Sequence, residues 1–205
     1  MDNLITFSLT VFTGFFAIMN PIANVPIYLS LVQGAEKNKQ KRIAKKATLV
    51  AFIIVFAFVV LGKFIFELFG ITIPAFKITG GILIFYVGFE MLQSKRSTVD
   101  HLQSTNVDEN LAISPLAIPI LAGPGTIVTA MNFVTNSDII HISIVIAVFA
   151  MMCLLTYFFF LISDKLVQYL GNNVISVIGK IMGLIIAIIG TNMIIEGIKI
   201  AFNIS

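Results

Sequence analysis

Two apolar stretches of this chain are interrupted by prolines at the same spacing, and that pair of interruptions limits what the chain can fold into. The first is Asn20-Pro21-Ile22-Ala23-Asn24-Val25-Pro26, inside an apolar run from Leu4 to Leu31. The second is Pro119-Ile120-Leu121-Ala122-Gly123-Pro124-Gly125-Thr126, inside a segment from Leu111 to Val134. In each the prolines are five apart, and the second copy begins 98 residues after the first, close to half of the 205-residue chain. One straight helical crossing of a bilayer needs about 20 apolar residues, and the first run is longer than that. Proline removes a backbone donor and clashes with the preceding turn, so both runs should break near their centres. At membrane depth a broken backbone is tolerated only where it is buried in protein or lines a cavity. Paired interruptions at matching positions of two halves point to a transporter's substrate site. The plainer reading is a pair of kinks whose asparagines bond to neighbouring helices; the pairing favours the site.

Composition supports a membrane setting. The chain is 58% hydrophobic and 11% charged, with a mean hydropathy of +1.02, whereas soluble domains carry about 25% charged residues. The net charge of +3 does not indicate nucleic acid, because the basic residues cluster beside apolar segments. Cys153 is the only cysteine, which rules out an intramolecular disulfide and a cysteine-cluster metal site. Met1-Asp2-Asn3 lacks a basic leader, so the first apolar run reads as a membrane segment rather than a removable signal.

Six segments are expected: about 4–33, 47–66, 75–93, 111–134, 139–162 and 174–201. Polar loops are expected at 34–46 and 163–173, and a turn at 70–74. The most polar stretch, 94–110, reads as a cytoplasmic linker between a first three-helix unit, 1–93, and a second, 111–205. Three crossings are odd, so the second half enters from the opposite face and the halves should be inverted repeats. In the third segment, Gly81, Gly88 and Met91 match Gly183, Gly190 and Met193 of the sixth, each shifted by 102. Glycines seven apart share one helix face, and with Gly179 they suit close helix packing rather than transport. The loops at 34–46, 94–110 and 163–173 hold 6, 2 and 1 of the Lys and Arg residues, and the opposite loops hold none. The positive-inside rule then places both termini outside.

No catalytic constellation is legible. His101 and His141 form no metal pair, and there is no nucleophile elbow or phosphate-binding Gly-rich loop. The chain therefore reads as a non-enzyme with no cofactor and no metal. Glu90, Asp164 and Glu196 fall near expected helix ends and read as interfacial charges. Glu90, between Phe89 and Met91, is also the candidate proton carrier. The breaks offer other chemistry. A half-helix starting near Asn24, with Pro26 in its first turn, would present N–H groups and a positive dipole end. A second, starting near Gly123 with Pro124 first, would do the same from the inverted side. Carbonyls ending the preceding half-helices, near Met19 and Ile118, would suit an ammonium group. Together these match a zwitterion.

Asn-Pro-Ile-Ala-x-x-Pro, the later Pro-x-x-x-Gly-Pro-Gly-Thr and the Gly-Gly-Ile-Leu of segment three resemble the MarC/SnatA family of six-helix membrane proteins. Over the whole chain the pattern is similar to the wider LysE-type exporter group. The resemblance implies a multi-pass cytoplasmic (inner) membrane protein, with transport of small neutral amino acids such as glycine or alanine and proton linkage in some members. Its motifs fall on Asn20, Pro21, Pro26, Pro119, Gly123, Pro124, Gly125 and Thr126. The reading is an all-α integral membrane transporter with discontinuous first and fourth helices. It moves a small neutral amino acid by alternating access, with Asn20, Asn24 and the Gly123–Thr126 backbone at the substrate. Export of drugs or other metabolites is the alternative within transport. A non-transporting scaffold or accessory subunit is the alternative outside it.

Overall fold

The computed structural model describes residues 2–93, 113–135 and 137–203, and the linker expected at 94–110 lies outside them. The described residues form helices α1 (Asp2–Met19), α2 (Asn24–Leu31), α3 (Lys37–Phe69) and α4 (Ile73–Leu92), then a π-helix (Ile113–Leu121), α5 (Pro124–Val134), α6 (Ile139–Leu161) and α7 (Ser163–Phe202). No strand occurs among them. Four spans are long and apolar enough to cross a membrane: Lys37–Gly62, Ile73–Leu92, Ile139–Leu161 and Asn173–Phe202.

The long helix α3 shows how sequence sets this architecture. Small and branched residues Ile43, Ala44, Ala47, Ala51 and Val55 share one helical face and are all buried, so that face packs inward. Leu49, Ile53, Phe56 and Val60 recur every three or four positions on the opposite face and are exposed. A soluble protein rarely leaves so continuous an apolar surface uncovered; a bilayer covers it. The helix stops at Gly70, whose φ of 61° is left-handed and cheap only without a Cβ. The Ile71 N–H then closes back to the Phe66 carbonyl at 2.9 Å. Thr72 caps α4 by accepting from the Ala75 N–H at 3.4 Å. Asp138 caps α6 by accepting from the His141 N–H at 3.0 Å, and that hydrogen bond, with the imidazole beside it, holds the carboxyl below its ordinary range.

Two stretches expected to be loops are helical. Residues 37–46, six of whose ten side chains are basic, are the first turns of α3. Lys and Arg are good helix formers, and Ile43 and Ala44 supply the buried contacts that hold those turns down. Residues 163–170 likewise begin α7, which turns at Gly171 with φ 75° and ψ 155° before its apolar span starts. Polarity marked the edge of the apolar slab but not the end of the helix.

The most extensive packing in the bundle is between α4 and α7. Gly81, Gly88, Gly183 and Gly190 make it possible, as their spacing suggested. A Cβ on Gly81 would lie 2.6 Å from the Gly190 carbonyl oxygen, and one on Gly88 would lie 2.5 Å from that of Gly183. The backbones therefore touch directly, and the helices run antiparallel. Elsewhere α1 packs on α6 and the π-helix on α3, while α2 lies against α7 and α5 against α4.

Candidate functional site

The first apolar run breaks at residues 20–23. Asn20 takes a left-handed φ of 37°, a conformation asparagine tolerates better than most residues. Its N–H still closes the last turn of α1 on the Phe16 carbonyl at 2.9 Å. The side chain is 2% exposed, and its Oδ1 accepts from the Ala23 N–H at 3.3 Å. Its Nδ2 is buried and has no hydrogen-bond partner. A buried unsatisfied donor costs about 1–3 kcal/mol, so an acceptor placed against this amide would gain a hydrogen bond that the protein itself does not supply.

The two asparagines reach in opposite directions across the break. Asn24 does not cap α2: the N-cap is Ala23, which offers no side chain, and Asn24 is the first helical residue. Its Nδ2 reaches backwards instead and donates to the Met19 carbonyl at 2.7 Å, sealing the end of α1. That carbonyl is therefore not free for an ammonium group. The Asn20 Oδ1 receives the first N–H ahead of α2. Pro21 is buried in the break, while Pro26 sits half-buried in the first turn of α2, where a missing N–H costs no helical bond.

The second interruption is narrower than its prolines implied. Pro119 lies inside the π-helix, which runs on to Leu121 and ends with the Ala122 N–H on the Ala117 carbonyl at 2.8 Å. Only Ala122 and Gly123 separate it from α5. The bonds of this turn reach five residues rather than four. Gly123 has φ −72° and ψ 172°, which any residue adopts, so glycine is not needed there for conformation. Pro124 occupies the first position of α5, and no side chain caps the helix. The first internal bond of α5 is Ile127 N–H to the Gly123 carbonyl at 3.1 Å, which leaves the Gly125 and Thr126 N–H groups ahead of the helical ladder. Gly125 and Thr126 are buried.

These two places are neighbours. A Cβ on Gly125 would meet the Ile18 side chain at 3.0 Å, so the last turn of α1 packs on the first turn of α5. The structure thus packs the end of α1, two residues before Asn20, on the start of α5. It does not add Glu90 to them. Glu90 is half-buried in the last full turn of α4, one turn after the exposed Tyr86. Asp164 pairs with Lys37 and Glu196 with Lys77, in keeping with structural charges at helix ends.

Three features escaped the sequence reading. Asn132, in α5, has a buried Oδ1 without a partner; an amide in an apolar helix was the available signal. Lys77 is 9% exposed and pairs with Glu196. Tyr28, on α2, is buried and stacked on Phe160 with ring centroids 4.4 Å apart, and its hydroxyl donates to the Gln40 carbonyl at 3.0 Å. With Lys37 and Asp164, this group closes the far end of α2.

Four membrane-length apolar helices define a multi-pass integral membrane protein. Residues 5–202 match the family described as "MarC family integral membrane protein", and the chain belongs to that family. It is 40% identical over 210 residues to UPF0056 membrane protein YvbG of Bacillus subtilis, covering 98% of both chains. It is 39% identical to a UPF0056 membrane protein of Pyrococcus horikoshii, over 94% of each chain. It is 33% identical to UPF0056 membrane protein YhcE of Escherichia coli, over 92% of this chain and 90% of that one. No solved structure matches the chain.

Proposed function

We propose that the protein is a secondary transporter of small neutral amino acids across the cytoplasmic membrane. The observation that carries this reading is the buried, unpartnered Asn20 Nδ2 at the end of α1, whose last turn packs on the uncapped start of α5. A carboxylate placed between them would accept from the amide and from the Gly125 and Thr126 N–H groups, at a helix end whose dipole favours anions. The last π-helix carbonyls, which lack intrahelical donors, suit the ammonium group. Close packing at Ile18 and Gly125 favours a small side chain, as in glycine or alanine. Asn24, Pro21, Pro26, Pro119, Gly123 and Pro124 shape the breaks rather than touch the substrate. Binding and counterflow of labelled glycine and alanine in proteoliposomes test this reading.

Alternating access follows from two inverted three-helix repeats, with α1–α2 and π-helix–α5 as discontinuous crossings that complete a set of six. Packing supports that symmetry. Under the 102-residue correspondence, the Gly81–Gly190 contact becomes Gly183–Gly88, which is the other contact seen. The pairing of α1 with α6 exchanges with that of the π-helix with α3, and α2–α7 exchanges with α5–α4. Because α4 and α7 are antiparallel, an operator relating them lies across the helix axes and not along them.

With both termini outside, a cysteine replacing Asn38 is labelled by an impermeant reagent only from the cytoplasmic side. A cysteine replacing Ser137 is labelled from outside, each in a Cys153-free background. Reversed labelling of the two overturns this orientation.

Coupling to protons assigns Glu90 the titrating role, as the half-buried carboxylate of α4. Glu90→Gln is then expected to reduce accumulation driven by an imposed pH gradient several-fold while leaving counterflow intact. Unchanged gradient-driven accumulation removes Glu90 from the cycle.

A further inference from the structure

We infer that the N-terminal end of α3 is a binding site for an anionic phospholipid. Arg42, Lys45, Leu49, Ile53, Phe56 and Val60 follow one another at intervals of three or four, which places them along one ridge of a single helix. All six are exposed, and the opposite ridge, Ile43, Ala44, Ala47 and Ala51, is fully buried against the bundle. The ridge therefore faces lipid, with cations at one end and apolar side chains along the rest.

The dimensions fit one lipid molecule. From Leu49 to Val60 a helix rises about 16 Å at 1.5 Å per residue, close to one leaflet of a hydrocarbon core about 30 Å thick. An acyl chain lying on this ridge has its phosphate at the level of Lys45 and Arg42. Lys41, also exposed, is one turn before Lys45 and beside Arg42. Residues 37–49 contain no acidic residue. Among the described residues no carboxylate pairs with Lys41 or Lys45.

Chemistry selects the headgroup. Lysine ammonium groups within one turn of each other hold a phosphodiester well. Basic clusters abutting a membrane helix attract anionic lipid. A zwitterionic choline headgroup brings its own cation to the same place and gains less. The positive-inside rule asks only that cations lie on one side of the membrane; here they are in register with the lipid-facing ridge, which that rule does not require.

The test is native mass spectrometry of the purified protein equilibrated with equimolar long-chain phosphatidylglycerol and phosphatidylcholine. Wild type is expected to retain phosphatidylglycerol preferentially. The double variant Lys41→Gln/Lys45→Gln should lose roughly fivefold or more of that retention. Lys41→Arg/Lys45→Arg should keep it, which separates charge from folding. Soluble glycerol phosphate in large excess should not displace the lipid, since it lacks the chains that cover the ridge. Equal retention of the two lipids by wild type overturns the proposal. So does undiminished phosphatidylglycerol on the Gln variant, or displacement by glycerol phosphate.

Discussion

Gly190→Val should leave little folded protein. A Cβ at this position would lie 2.4 Å from the Phe85 nitrogen and 2.6 Å from the Gly81 carbonyl oxygen. Both are backbone atoms, so no side chain can swing away to make room. Ordinary contact would require α4 and α7 to separate by roughly 1 Å along the most extensive interface of the bundle, and valine adds two methyl groups beyond the Cβ. In membranes helix association rests on close packing rather than on a solvent-driven hydrophobic effect. Separation therefore also loosens the contacts at Gly81, Gly88 and Gly183. Overpacking a well-fitted interior costs about 1–3 kcal/mol and occasionally more; a backbone collision belongs at the upper end. The expected result is a loss of most monodisperse protein in size-exclusion chromatography after detergent extraction. Ile188→Val, two positions away on the same helix but exposed, should elute as wild type. Normal yield and melting of Gly190→Val would mean that the α4–α7 contact is looser than described.

Substitutions at Asn20 carry the second large effect, and here the choice of variant separates structure from binding. Asn20→Leu places a branched side chain at a φ of 37° and removes the amide, and transport should be abolished. Asn20→Gly is the sharper variant, because glycine adopts that φ without strain. It loses the 3.3 Å bond from the Ala23 N–H. It also removes a buried donor with no partner, which offsets part of that loss. Stability should therefore change little. A neutral hydrogen bond to substrate is worth about 0.5–1.5 kcal/mol, so affinity should fall roughly threefold to tenfold. Asn24→Ala should behave in the opposite way. It unseals the Met19 carbonyl and destabilises the end of α1, with a smaller direct effect on binding.

The contrast between the two asparagines marks how far sequence carries in a chain of this kind. Apolar runs, proline positions and a glycine spacing of seven are one-dimensional signals of helix, break and close contact. They placed the end of the first half-helix at Met19, where it is, and the face through which α4 meets α7. The direction in which an amide points depends on local dihedral angles. Nothing in Asn-Pro-Ile-Ala-Asn states that the first residue will turn left-handed and the second will bond backwards. Pro119 misled for a similar reason: a break was expected there, but the proline lies inside the π-helix and the interruption falls at Ala122 and Gly123. The basic stretch 37–46 was read as loop from its polarity, although its helical character was available in Ile43, Ala44 and Ala47 at helical spacing. Lys77 and Asn132 depend on which face a helix turns inward, which a helix apolar on all sides does not announce.

Amino acid transport through the paired breaks is tested most directly by counterflow. Proteoliposomes loaded with unlabelled glycine or alanine are diluted into trace labelled substrate, and wild type is compared with Asn20→Gly. The account predicts transient accumulation of label by wild type, saturable by either amino acid. It predicts a half-saturation concentration raised roughly threefold to tenfold in the variant at equal protein content. No accumulation by correctly folded wild type, or an unchanged half-saturation concentration in Asn20→Gly, would contradict it.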